Sequence, residues 1–345
     1  MTLKRNIRRV LFLLGGLVTL LLTAWLVVLF FGQKPPPSLP LPNPNGYTDI
    51  LQAGHAVSGT LDDLAETNLE YLRAFVSTNT EALRLLRVGL SRECSVPTDA
   101  AIANSGTPIG DLIALRSLAL LLGAEGRLAE MENRPADAAK SYLDGIRLGI
   151  NISRGGLMVD HMIGVASQGM SSTSLAKLIP KLTCHQMRPL IEQLEQIDAQ
   201  NVTWKEVLRI EDRFVRTLTR NPIALVSAWW VGRNTRKAAE QTHNFAVARI
   251  RLLTVELALR CCRCDEGKAF PTLQYLLPKY VHRMPTDPFN GRQLVYKQTG
   301  TNWLLYSIGP DRVDNGGKPL EKVISFYNPG EVQKRKGDVF FDSPW

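Results

Sequence analysis

The chain has 345 residues, 45% apolar and 21% charged, which excludes a wholly disordered protein and leaves room for about two domains beside a short anchor. Its formal charge of +9 would suit a nucleic-acid binder if it formed one dense stripe, but it does not. Residues 1–9 carry four basic groups and no acid, residues 246–345 carry fifteen Lys and Arg against ten Asp and Glu, and the middle is close to neutral.

In chain order, Val10 to Phe31 is a run of 22 residues without a charge, preceded by Lys4, Arg5, Arg8 and Arg9. At ~1.5 Å per residue such a helix crosses a ~30 Å hydrocarbon layer. The basic flank predicts a cytoplasmic N-terminus and an uncleaved single-pass anchor in the inner membrane, with the bulk of the chain extracytoplasmic. Residues 32–46 hold six prolines and read as a semi-rigid linker.

From about Leu61 to Leu90 apolar residues recur with helical period (Leu69, Leu72, Phe75, Val76, then Leu83 and Leu86), with Asp62 and Asp63 placed for a first turn. Arg92–Gly110 reads as a loop. A helix pair is expected at Asp111–Met131 and Ala136–Leu148, with Pro135 suited to the opening turn of the second. Gly126, Ala138, Tyr142 and Gly145 then stand where a tetratricopeptide repeat places small residues and an aromatic, so residues 119–152 resemble one such helical hairpin.

Helices follow at Met158–Leu178, Cys184–Ala199, Trp204–Thr219, Ala224–Thr235 and Lys237–Arg263, with Trp229 and Trp230 expected in the core. Five cysteines, at 94, 184, 261, 262 and 264, cannot all pair within one chain. They read as buried or disulfide-bonded, and Cys261-x-x-Cys264 alternatively as a redox or zinc pair.

Beyond Gly267 the pattern changes. Asp287-Pro288 and Asn290-Gly291 are turn formers, and Leu294–Tyr296 and Trp303–Tyr306 are strand-like runs around Thr299-Gly300, a hairpin signal. Together with Gly267–Pro271, Leu276–Pro278, Met284–Phe289, Tyr306–Asp311 and Gly337–Val339, this order resembles the C-terminal part of the type II secretion major pseudopilins over roughly 90 residues. That resemblance implies a Ca²⁺ loop carried by Asp311 and Asp338, with Asp314 and Asn315 between them able to add oxygen ligands. Three departures stand out: residues 318–336 insert a basic segment before Asp338, Arg312 stands next to Asp311 as a pairing partner, and the apolar anchor lacks the Glu that pseudopilins carry. A metal-free Asx/Gly turn is therefore the alternative reading of this loop. As a whole the chain resembles membrane-anchored bacterial proteins of the planctomycete kind, which join a helical region beginning near Asn43–Tyr47 to this cap and bring no activity to transfer.

The expected architecture is mainly α: an N-terminal transmembrane helix (10–31), a helical extracytoplasmic domain (47–236), and a long helix with a small pseudopilin-like α+β cap and short antiparallel sheet (237–345). No H-E-x-x-H, G-x-S-x-G or phosphate-binding glycine loop occurs. Asp160-His161 and Cys184-His185 are adjacent pairs that need a third partner to act as nucleophile and base. The leading expectation is a non-enzymatic scaffold that binds a protein or envelope component and no nucleic acid. The alternatives are an accessory part of a secretion or pilus-like apparatus, and a hydrolase with its site in the helical domain.

Overall fold

The computed structural model describes residues 19–25, 40–61, 68–99, 106–218, 222–268, 270–300, 302–320 and 336–343. Asn45 opens α1 (Gly46–His55): its side chain accepts from Tyr47 N at 3.1 Å, as an N-cap should, and also clamps the Ser95 backbone through both its oxygen and its nitrogen. α2 (Leu69–Thr78) and α3 (Thr80–Leu90) meet at Asn79, which is buried and bonded to Ser58 and to Phe75 O. The single helical stretch expected there is therefore broken by one asparagine, and Asp62 and Asp63 lie outside the described residues.

α4 (Ile109–Met131) and α5 (Pro135–Ser153) form the expected hairpin, with Pro135 in the opening turn. Its closeness depends on Gly126, where a Cβ would lie 2.3 Å from the Tyr142 ring. α6 (Met158–Leu178) packs on α5 backbone to backbone: a Cβ at Gly149 would meet Gly164 O at 2.2 Å. α7 (Cys184–Ala199) begins at a capping box of Thr183 and Gln186. α8 (Trp204–Leu218) leads to α9 (Pro222–Glu266), one continuous helix of 45 residues where two were expected. Trp230 on α9 is 68% exposed, so its expected place in the core is corrected. A disulfide joins Cys184 at the start of α7 to Cys264 near the end of α9, while Cys94, Cys261 and Cys262 are buried thiols.

The cap is a hairpin of β1 (Val295–Thr299) and β2 (Asn302–Tyr306), antiparallel with Val295 opposite Tyr306 and Thr299 opposite Asn302. Gly300 turns it at φ +62°. The chain end returns beside it through the Ser307–Val339 bridge. Asp287 staples the cap from within: buried, it accepts from the Phe289 and Ile308 amides and from the Ser307 hydroxyl.

Two apolar clusters meet at α5. One gathers α1–α4 and takes Leu148 and Ile152 from α5; the other joins Tyr142, Ile146 and Ile150 to α6, α7, α9 and cap residues Leu305, Ile308 and Val339. The boundary drawn at residues 236 and 237 falls inside α9.

The fold is mainly helical with one small antiparallel sheet, but the membrane-spanning helix is corrected. Among the described residues no helix is long and apolar enough to cross a membrane. Of Val10–Phe31 only residues 19–25 are described, as helix, which reaches ~10 Å. The 23-residue α4 is long enough but carries Asp111, Arg116, Glu125, Arg127 and Glu130. The single-pass anchor, the inner-membrane location with a cytoplasmic N-terminus, and the extracytoplasmic placement inferred from them are therefore not supported. Residues 1–9 and 32–39 lie outside the described residues.

Candidate binding groove

Lys140, Asp144, Arg147 and Asn151 follow one another at spacings of four, three and four on α5, which puts them on one face, and Arg154, the C-cap, lines the same groove. That polar stripe lies between the two apolar clusters and floors a groove of about 730 Å³. One wall is the end of α3 with Arg87, Ser91 and Arg92; the other is the last turn of α7 with Gln196 and Gln200.

The charges are held from behind. Asp144, buried, accepts from Arg87 Nε and Arg147 Nη1 at 3.2 Å each, so one carboxylate serves two cations. Arg87 also donates to Glu125 at 2.5 Å, Arg92 to Asp49 at 2.6 Å, Arg147 to Gln193 Oε1 at 2.8 Å and Arg154 to the Gln200 carbonyl at 3.1 Å. These contacts fix the planar guanidinium forks while leaving further N–H donors on each. A second depression of about 570 Å³, beside Val76, Leu83 and Val88, shares Arg87 and Ser91 with the groove. The signal was visible as Lys140, Arg147 and Arg154 recurring every seven residues. The walls were not, because they come from other helices.

The expected metal residues are brought to one loop. Asp311 accepts from Val313 N and Asn315 Nδ2, Asp314 from the Tyr306 hydroxyl and Gly316 N, and Asp338 from Asn315 N at 3.2 Å and Gly317 N at 2.7 Å. The insertion does not pull Asp338 away. Asp338 is buried, and burial, followed by the charges of Asp314 and Asp311, pushes its carboxyl up against the pull of the two amides. The Tyr306 hydroxyl and then the Gly316 amide hold Asp314 low. All-oxygen donors suit Ca²⁺, yet convergence is incomplete: among the described residues no group of three or more His, Cys, Asp or Glu is placed to hold a metal ion.

The residues considered for hydrolysis are also accounted for. His161 is fully buried and meets His243 at 3.1 Å (Nε2 to Nδ1), with Trp204 6.2 Å away ring to ring. Its neighbour Asp160 turns elsewhere, to Thr107 and the Leu157 amide. Cys184 is consumed by its disulfide, so the Cys184-His185 pair holds no free thiol.

No protein-family model, curated protein or solved structure matches this chain.

Proposed function

We propose that this chain is a non-catalytic binding protein whose helical body holds an extended segment of a partner protein in the α3–α5–α7 groove. One observation carries the reading. α5 is buried along most of its length, yet its remaining face is a polar stripe set in a concavity between two cores. Concave sites with a few fixed polar groups are where ligands are recognised. In this reading the pseudopilin-like cap is a stabilising module, supported by its sharing one core with α9.

The test is to pan a random peptide library on the intact chain and repeat the binding with Ser91→Trp, which places bulk at a residue that lines both depressions. Peptides that bind the native chain and are lost with this variant support the groove. Binders indifferent to Ser91→Trp would place recognition elsewhere.

A second reading concerns the cap. Asp338, raised mainly by its burial and further by the charges of Asp314 and Asp311, shares one loop with those two carboxylates, a grouping of negative charge that a hard cation would relieve. Ca²⁺ is accordingly proposed as a stabiliser of this loop. Thermal unfolding of the whole chain in millimolar CaCl₂ should shift upward relative to chelator, and Asp338→Asn should abolish the shift. An unchanged midpoint in the native chain rules the cation out.

A further inference from the structure

We infer that the groove takes an acidic peptide segment followed by an apolar side chain. The inference rests on the groove reading above and names its ligand. Five cations line the larger depression, against the carboxylates of Asp144 and Glu93. Three of the five already lean on carboxylates: Arg87 on Glu125 and Asp144, Arg92 on Asp49, Arg147 on Asp144. These pairs orient the guanidinium groups more than they exhaust them. Arg92 spends a single nitrogen on Asp49, and Arg154 spends one on a neutral carbonyl. Lys140 has no hydrogen-bond or ion-pair partner among the described residues, and it is exposed. The uncommitted donors therefore sit at Lys140, Arg154 and Arg92, spread along the groove and not gathered at one point. Spread donors suit several carboxylates on one strand better than a single small anion.

Size and lining narrow the choice further. A cavity of about 730 Å³ that shares Arg87 and Ser91 with a second of about 570 Å³ is roomy for a lone phosphate. Beyond Arg87 the lining brings in Val76, Leu83 and Val88, with Arg84 already paired to Glu81 and Glu125 to Arg87, an apolar content that a charged polymer of uniform chemistry would not use. Among the described residues no aromatic side chain lines either depression, so the stacking platforms that single-stranded nucleic acids use are not supplied. Carboxylates over the α5 stripe, continued by a Leu-like side chain over the α3 face, satisfy both halves.

The experiment uses the intact chain and a fluorescein-labelled synthetic peptide in which Asp and Glu precede Leu. Its Asn/Gln counterpart, a labelled uridine oligonucleotide and inorganic phosphate as competitor are run beside it. The acidic peptide should bind and weaken as salt rises, because exposed charges are screened over ~10 Å. Lys140→Glu with Arg154→Glu should weaken it by about tenfold or more, equivalent to a ~1.4 kcal/mol loss. Lys177→Glu, on α6 and outside the groove, should not, and circular dichroism should show all variants folded. Equal binding of the Asn/Gln peptide, indifference to the double variant, tighter binding of the oligonucleotide, or response to phosphate alone would each overturn the inference. If library peptides bind the groove and are lost with Ser91→Trp while the acidic probe fails, the acidic assignment falls and the groove reading stands. If neither binds, both fall.

Discussion

His161 and His243 meet nitrogen to nitrogen in the interior, where α6 touches α9. Burial is the main cause that drives both down, His161 to about 3 and His243 to about 4, with the His243 and Arg251 charges as respective further causes. Each is neutral when folded and takes a proton near its ordinary value of ~6.5 when unfolded. The unfolded chain therefore binds more protons as pH falls from about 6.5 towards 4, and stability is lost in that window. Asp160 acts in the opposite sense. Burial raises it to about 6, so it stabilises at low pH and loses that contribution as pH rises through 6. At pH 5 the histidines cost about 2 kcal/mol each and Asp160 returns about 1, so the histidines win. Urea midpoints should fall between pH 7 and pH 5, and His161→Gln with His243→Gln should flatten that slope. An unchanged slope in the double variant would show that the pair is not the titrating element.

At the scale of elements, the α5–α6 crossing sets the tightest demand. A Cβ at Gly149 would lie 2.2 Å from Gly164 O and 2.7 Å from Gln168, and the first of these is backbone that cannot turn aside. Gly149→Ala should destabilise by about 1–3 kcal/mol, the range for overpacking. Gly110→Ala, at the exposed start of α4 with nothing within 4 Å, should stay within about 0.5 kcal/mol of the parent. Because Ala is the better helix former at both positions, a Gly149→Ala variant no less stable than Gly110→Ala would show that close approach does not decide. Elements of this kind were the most legible in the sequence. Met158–Leu178 and Cys184–Ala199 match the expected bounds, and for α7 Thr183 and Gln186 form a readable cap. The break expected near Thr235 does not occur because no proline interrupts α9, and the weak local propensity there is overruled by the continuing helix. Asn79 ends α2 for a reason no pattern carries: its side chain is committed to Ser58, 21 residues upstream.

For the whole molecule, what was legible divides by distance along the chain. The hairpin, its Gly300 turn and the Asp311–Asp314 loop are local and were readable from turn chemistry. That Asp338 would return to Asn315 and Gly317 across the insertion depended on the fold. The groove depended on it more. Arg87, Lys140 and Gln196 are tens of residues apart and have meaning only after α3, α5 and α7 have packed. Net charge alone pointed away from it, because the middle of the chain is near neutral although five of its cations line one concave face.

The Cys184–Cys264 link spans 80 residues and encloses nearly all of α7, all of α8 and almost all of α9. A protease that cuts once anywhere inside that ring opens the backbone without releasing a fragment. Such a nicked chain would travel as one species on a denaturing gel until a reductant separated it into two, with the α7 wall of the groove on one piece and its floor and α3 wall on the other whenever the cut falls before Gln196.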